Sequence, residues 1–432
     1  MNEKQLQHQQ YEIQKWNTFL LFGIVYITVY YGRFAILYHI EAISQSLGVT
    51  KDIEIYVYSA VILSYAIGSF FMGRWADMLQ RPIGLILLGT GISFLTNISL
   101  VFVHSWKHLI FLSIINGLFQ SMIWVNGILL ITMWWKSSQR PISGGIINFF
   151  SGLAHIPAFF LPGMVMLTSN DREVIQKNYS FILIICVILF FFFLIAANNP
   201  QKAGFAHYHE DNEIISGREK YLYEQIKLKK KSPWKFFFKG KKMWCWCGIA
   251  FLSSICRYGL LEWIPRYYSA IDFIPILDER FSNIILPLGM AFGTLIMTYI
   301  AGTKFSRNKG IVVILCAALC GTLIVIFPMM PSIRIVLIGV FFTGFFLFGI
   351  NGIIWIYTMD RGGRIYSATI AGVLNGFAYL GTFLQEFLFR NILHQWQSWF
   401  SIFVLMELIC FAIVGLAIIA SEKDTNIEIE ME

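Results

Sequence analysis

The sequence predicts an all-α membrane protein with twelve transmembrane helices in two six-helix bundles. Three observations carry that expectation. Of 432 residues, 57% are hydrophobic and only 13% charged, with a mean hydropathy of +0.64. That is too little polar surface for a soluble domain. Apolar stretches of spanning length recur along the whole chain, and a span takes about 20 residues. A long basic segment follows the sixth stretch, dividing the chain into comparable halves.

The elements follow from where apolar runs begin and end. Met1 to Lys15 is polar, so span 1, from about Trp16 to Ile40, is expected to double as the insertion signal. Span 2 covers Ile55 to Phe71, span 3 Ile83 to Val103 and span 4 Leu109 to Met133. Span 5 covers Ile142 to Leu167 and span 6 Phe181 to Ala197. Residues 198–242 then turn polar and read as a cytoplasmic basic linker. Its Trp and Phe residues are placed to sit among anionic headgroups. Spans 7 (Met243–Tyr268), 8 (Phe281–Ala301), 9 (Ile311–Met329), 10 (Ile335–Thr358), 11 (Ala368–Asn391) and 12 (Trp399–Ala420) complete the chain. The expected organisation is an N-terminal bundle over 1–197, the linker over 198–242 and a C-terminal bundle over 243–432.

The formal charge of +8 does not point to nucleic acid, because of where the cations lie. The central segment 198–242 alone holds 11 lysines and arginines, while the other loops on its side hold 9 and those on the opposite side 8, so this segment carries most of the orientation signal. This asymmetry places the linker and both termini in the cytoplasm of a cell-membrane protein. The seven cysteines, Cys186, Cys245, Cys247, Cys256, Cys316, Cys320 and Cys410, lie in or beside apolar spans. They form no disulfide framework or metal-site spacing and read as small buried hydrophobes. No metal-ligand cluster, paired carboxylates or nucleophile–base arrangement is visible. Neither an enzyme nor a bound cofactor is expected, and a monomer is the default state.

Arg33 and Arg257 stand deep in spans 1 and 7, one in each half. A guanidinium at mid-bilayer costs about 2.5–3.5 kcal/mol on insertion scales, so it is expected to face a cavity with a function. Helical spacing gathers further polar groups into stripes. Tyr26, Tyr30 and Arg33 share a face of span 1, and Asn148, Ser151 and His155 share one of span 5. Asn375, Tyr379, Thr382 and Glu386 align along span 11. Glu386 could couple a proton, neutralise Arg257, or lie near headgroups with Arg390 one turn on. Glu262 stands about 140° round the helix from Arg257 and is expected to face elsewhere. His39 and Glu41 read as interface residues at the end of span 1.

Four segments carry a resemblance to a known family. Gly117 through Gln120 to Trp124, with Trp134, Trp135 and Arg140, resembles span 4 of the organophosphate:phosphate antiporters. These are the glycerol-phosphate and hexose-phosphate exchangers of the major facilitator superfamily. Arg257-Tyr-Gly-Leu-Leu-Glu-Trp263-Ile-Pro265 is similar to that family's span 7 motif. Pro200, Gln201 and Gly204 after span 6, and Ala378 to Gly381 in span 11, are further matching elements. Gly73 and Asp77, with Arg81 four residues on, resemble the superfamily's Gly-x-x-x-Asp loop motif.

The resemblance implies the two-bundle fold and a substrate site using Arg33 and Arg257. It places Tyr26, Tyr30, Tyr65, Gln120, Trp124 and Tyr379 around them and makes Gly73, Asp77 and Arg81 a conformational latch. Three family cations are replaced here, by Phe34, Ser69 and Ser151. His155, one turn beyond the family's span 5 histidine, either takes over that role or hydrogen-bonds a neighbouring helix. The implied activity is exchange of an organic phosphate for inorganic phosphate, with a small anionic substrate and the lipid bilayer as partners. Two alternatives stay open: proton-coupled transport of another small organic anion through His155 or Glu386, and a non-transporting membrane sensor of phosphate esters.

Overall fold

In a computed structural model, residues 3–46, 52–99, 102–166, 187–205, 234, 238, 240–270, 279–326, 329–330, 332 and 333–421 are described. Side chains at 31–46 and 157–166 lie outside that description, as do a few at other helix ends. His39 and Glu41 fall among them, and Cys186 lies outside the described residues.

Helices α1 (Glu3–Ser46), α2 (Asp52–Leu79), α3 (Pro82–Ser99), α4 (Trp106–Trp134) and α5 (Arg140–Met166), with α6 at 187–195, make the first half. Helices α7 (Lys241–Ala270), α8 (Glu279–Thr303) and α9 (Gly310–Ile326) begin the second. The chain from Ile333 to Trp396 runs on as one helix interrupted at Gly363, whose φ of 56° and ψ of −150° are non-helical. Its two arms are α10 (333–362) and α11 (364–396). Helix α12 (Trp399–Ser421) closes the chain.

The ends of these helices are set by local chemistry. The Ser105 side chain accepts from the His108 backbone N–H at the start of α4. Gln80, at φ 52°, terminates α2, and Pro82 opens α3 at a position where no backbone N–H is needed. Span 1 was expected to begin near Trp16, yet α1 starts at Glu3. Its polar first turns are rich in Gln, Glu and Lys, which are good helix formers. The turn expected between spans 10 and 11 is likewise absorbed into a helical path broken only at a glycine.

Seven of the described helices, counting α10 and α11 as one, are long and apolar enough to cross a membrane by length and composition. Twelve is therefore the sequence's own count. Leu95, Phe111, Phe193, Leu315 and Phe411 are exposed on the outside of the assembly. Such a belt would be a liability in water and is the expected surface in lipid. The protein is a multi-pass membrane protein. Among the described residues the six cysteines form no disulfide and are buried.

Within the first half, α2 and α3 pack on α4 and α1 packs on α5; within the second, α8 packs on α10 and α12 packs on α7 and α9. The halves meet chiefly along α2 against α11 and α5 against α8. At the end of the molecule that carries the linker, the α2–α11 crossing is close enough to exclude side chains. A Cβ on Gly73 would strike the Ala368 carbonyl, and one on Gly372 would strike the Ser69 carbonyl and the Gly73 Cα. Gly372→Val is therefore expected to destabilise the protein by about 1–3 kcal/mol through overpacking. Thermal unfolding in detergent reads this as a lower midpoint. Gly91→Ala, whose added carbon meets nothing within 4 Å, should leave the midpoint unchanged or raised.

Candidate functional site

Arg257 sits in the middle of α7, partly buried, with its guanidinium between two aromatic rings. Its Cζ is 4.8 Å from the Tyr258 ring centroid and 5.5 Å from that of Phe348. Nη1 donates to Asn351 Oδ1 at 2.8 Å and Nη2 to Ser254 Oγ at 3.2 Å. Both partners are neutral, and among the described residues no carboxylate pairs with Arg257. Its buried Nε has no hydrogen-bond partner. A guanidinium has five N–H donors, so the two bonds leave most of its donor capacity open.

From Arg257 a continuous chain of side-chain contacts runs through both halves. Phe348 lies 5.9 Å from the His155 ring, and His155 lies 4.7 Å from Tyr30. Tyr30 is 5.2 Å from Tyr26, which is 4.9 Å from Trp124. Trp124 in turn meets Trp355 of the second half at 5.1 Å. In the other direction, the Tyr258 hydroxyl donates to that of Tyr379 at 3.3 Å, and Tyr379 stacks on Tyr65 at 4.0 Å. Within this chain of contacts the halves touch at three aromatic pairs: His155–Phe348, Trp124–Trp355 and Tyr65–Tyr379.

The polar atoms within this chain have a consistent character. The indole N–H groups of Trp124 and Trp355 are buried and have no hydrogen-bond partner. With Arg257 Nε they make three unanswered donors. Unpaired buried donors are costly, by about 1–3 kcal/mol each, so the arrangement favours a guest that brings acceptor oxygens. His155 Nδ1 lies 2.9 Å from the Ser151 carbonyl. A carbonyl only accepts, so Nδ1 carries the hydrogen, and the ring packs against Tyr30 and Phe348.

The structure brings together Tyr26, Tyr30, Tyr65, Trp124, His155, Arg257 and Tyr379. Gln120 and Asn148 are placed differently. Gln120 Nε2 donates to Ser93 Oγ at 2.9 Å and Asn116 Oδ1 at 3.0 Å, between α3 and α4. Asn148 Nδ2 donates to the Gly144 carbonyl of its own helix at 2.8 Å, and its buried Oδ1 has no donor. Arg33 stands on α1 three residues beyond Tyr30, and its side chain lies outside the described residues. Phe34 falls there too. Helical spacing did not single out Phe348, Asn351 and Trp355, which line the second half's share of the site from α10. A run of apolar residues around one asparagine carried little signal.

Glu386 does not neutralise Arg257, which was one of its three expected roles. Its Oε1 lies 2.8 Å from Arg390 Nη2 and 3.5 Å from Arg266 Nη1. Glu262, expected to face away from Arg257, accepts from the Tyr58 hydroxyl of α2 at 3.0 Å.

Toward the linker end, Asp77 accepts from the backbone N–H groups of Ala368 at 3.2 Å and Thr369 at 2.6 Å, at the start of α11. A carboxylate there meets the positive end of the helix dipole. Nearby, Arg140 donates to the Met359 carbonyl at 3.3 Å and Arg364 to the Thr132 carbonyl at 3.2 Å. The Thr132 and Ser367 hydroxyls are 3.0 Å apart. These bonds all join the two halves. Arg81 is exposed in the turn between α2 and α3.

Comparison with known proteins agrees with the architecture. The model of the Major Facilitator Superfamily matches residues 22–385. A probable hexose phosphate transport protein of Chlamydia trachomatis serovar D is 21% identical, across 96% of this chain and 92% of its own. A glycerol-3-phosphate transporter of Haemophilus influenzae is 22% identical, across 75% of this chain and 74% of its own. The solved structure of the proton:xylose symporter XylE, bound to 6-bromo-6-deoxy-D-glucose, superposes with a TM-score of 0.71. It covers 95% of each chain at 10% identity, a likeness of fold alone.

The neutral cage of Arg257 makes a direct prediction. Asn351→Asp puts a carboxylate against the guanidinium and should abolish phosphate binding, read as loss of phosphate-induced tryptophan fluorescence change. Asn351→Ala removes one hydrogen bond to a charged group, worth about 1.5–3 kcal/mol, and should weaken binding about tenfold to a hundredfold. Equal behaviour of the two variants would contradict the electrostatic reading.

Proposed function

Because this chain belongs to the Major Facilitator Superfamily, we propose that it is a secondary transporter. In this reading it exchanges an organic phosphate, of the glycerol phosphate or sugar phosphate type, for inorganic phosphate by alternating access. The observation that carries the reading is the state of Arg257. It is a guanidinium inside the membrane, held only by neutral groups, amid buried N–H donors with nothing to donate to. Relatives named for hexose phosphate and glycerol-3-phosphate transport point to the same class of anion.

The chemistry suits a phosphate ester. A planar guanidinium can give two parallel, charge-assisted hydrogen bonds to a tetrahedral oxyanion. A phosphate monoester carries about −1.5 to −2 charge near neutral pH, and Arg33 with Arg257 would nearly balance it. Tyr26, Tyr30, Tyr65, Trp124 and Tyr379 would read the organic part, with His155 Nε2 beside the phosphate. In this reading an empty site would leave two uncompensated cations, one contributed by each half. A bound anion would compensate both and let the halves rock, which is the physical content of obligatory exchange.

In this scheme Asp77 on the α11 N-terminus, with the neighbouring bonds of Arg140 and Arg364, holds the linker end shut. Gly73 allows the approach. The charge asymmetry of the loops puts that end, and both termini, in the cytoplasm. The protein carries its cargo unchanged and performs no covalent step.

Proteoliposomes loaded with inorganic phosphate test the reading. External labelled phosphate should enter by counterflow, and added glycerol-3-phosphate or a hexose phosphate should compete. Arg257→Lys, which keeps the charge and loses the planar fork, should lower the exchange rate by at least about tenfold. Phosphate that fails to exchange for phosphate under any gradient would rule the antiporter out.

A further inference from the structure

Three buried polar atoms beside the aromatic chain have no hydrogen-bond partner. Two are the indole N–H groups of Trp124 on α4 and Trp355 on α10, and the third is an acceptor, Oδ1 of Asn148 on α5. Two contacts fix how α5 and α10 run past each other. The His155 ring lies 5.9 Å from that of Phe348, and toward the linker end a Cβ on Gly144 would lie 2.7 Å from the Met359 Cε. Residues 155 and 144 are eleven apart on α5, as 348 and 359 are on α10, so the two helices run antiparallel and in step. Asn148 is four residues from Gly144 and seven from His155; Trp355 is four from Met359 and seven from Phe348. Steps of four and seven keep to one helix face, so Asn148 and Trp355 stand opposite each other across the two halves. Trp124 joins them from α4, its ring 5.1 Å from that of Trp355. The Asn148 N–H is spent on the Gly144 carbonyl at 2.8 Å, which leaves its oxygen for whatever enters between the halves.

We propose that Asn148 Oδ1 and the Trp124 and Trp355 indole N–H groups form a subsite for sugar hydroxyls, which favours a six-carbon polyhydroxy phosphate ester over a three-carbon one. The inference rests on the reading that Arg257 takes the phosphoryl group, and it names the part of the site that chooses the rest of the molecule. One acceptor and two donors call for a group that both gives and takes hydrogen bonds. A hydroxyl does so, with one O–H and two lone pairs. An ammonium would answer Asn148 and leave both indoles unmet. A carboxylate would answer the indoles and set its oxygens against Asn148 Oδ1. The subsite therefore selects neutral hydroxyls, whereas Arg257 selects charge.

The spacing of the two parts favours length. Asn351, which accepts from Arg257 Nη1, is four residues from Trp355 on the same helix. That is about 6 Å at 1.5 Å per residue. A hexose 6-phosphate presents several hydroxyls at such a distance from its phosphate, on a stiff ring. Glycerol 3-phosphate has only its terminal hydroxyl there, on a flexible chain that loses more freedom when held. An ester without hydroxyls leaves all three buried atoms unmet, and a site built to bond a hydroxyl penalises such an analogue.

Isothermal titration calorimetry of the purified protein in detergent tests the subsite. The probes are inorganic phosphate, glycerol 3-phosphate, glucose 6-phosphate and cyclohexylmethyl phosphate, which keeps a six-membered ring and lacks hydroxyls. Wild type should bind glucose 6-phosphate about tenfold more tightly than either other ester. Asn148→Leu, similar in size and without the oxygen, should bring glucose 6-phosphate to within about twofold of cyclohexylmethyl phosphate. Trp355→Phe removes a donor from the other half and should narrow the same ratio; it decides the matter if Asn148→Leu does not fold. Wild type that binds glucose 6-phosphate no better than glycerol 3-phosphate, or not at all, overturns the proposal. So does a preference that survives both substitutions, which would mean that the three atoms hold only water. A loss of equal size for inorganic phosphate and glucose 6-phosphate overturns it too, because the residues would then act on Arg257 alone. Counterflow is measured separately: its failure with the order of binding intact sinks the exchanger, and the reverse result sinks the subsite.

Discussion

The positive charge of Arg257 lies where lipid and protein leave little water to solvate it, and the rest of the site is arranged around that fact. Burying such a charge without a counter-ion is costly, so most buried guanidinium groups find a carboxylate. Here two neutral oxygens and two ring faces stand in for one. Ring faces attract cations by about 0.5–2 kcal/mol without cancelling the charge. The result is a cation made tolerable but not neutral, which is the condition for binding and releasing an anion reversibly. A carboxylate partner would make the empty state stable and remove the reason to bind.

The same economy shows in how the halves meet. Most of the cross-half contacts near Arg257 are between aromatic rings, which slide and tilt at small cost. Toward the linker end they become directional hydrogen bonds to backbone, at a glycine-to-glycine crossing. Rings at the centre and oriented bonds toward the ends suit a molecule whose halves rock about their middle. Asp77 gains from the α11 helix dipole only when α11 is docked on α2, so its bond has two discrete states rather than a graded one.

Much of this was legible before any coordinates. Hydropathy marked the apolar stretches, the spacing of Tyr26 and Tyr30 put them on one face, and the family resemblance pointed to Trp124. The Gly73-to-Asp77 motif anticipated a carboxylate at a helix N-terminus. What stayed hidden has one physical cause. Helical register says which residues share a face, but not how that face turns once it packs. Gln120 and Asn148 have the right register yet direct their amide N–H groups within the first half, to α3 and α4 neighbours or their own helix. Glu262 lies away from Arg257 as its angle suggests, and only the packing of α2 shows that it meets Tyr58. The helical path through residues 359–367 was hidden for another reason: its polar residues look like a loop, and tertiary packing overrides them.

The three positions at which family cations are replaced give the last step. Ser69 Oγ donates to the Tyr65 carbonyl at 2.9 Å and receives Asn375 Nδ2 at 3.2 Å, while Asn375 also reaches the Tyr65 hydroxyl at 3.3 Å. Ser151 Oγ lies 3.4 Å from the Tyr30 hydroxyl. At two of the three positions, where the resemblance would put charge, this chain puts short hydroxyls that reach the site's tyrosines, Ser151 directly and Ser69 through Asn375. Exchanging a cation for an oriented phenol lowers the long-range pull on an anion and sharpens discrimination by hydrogen bonding, because a buried hydroxyl left unmatched is penalised. In the exchanger reading, selectivity in this chain therefore shifts from the phosphate toward the hydroxyl pattern of the organic moiety. In that reading the remaining charge recognition would fall to Arg257 and Arg33, and the neutral cage around Arg257 would matter more than in a site with cations to spare.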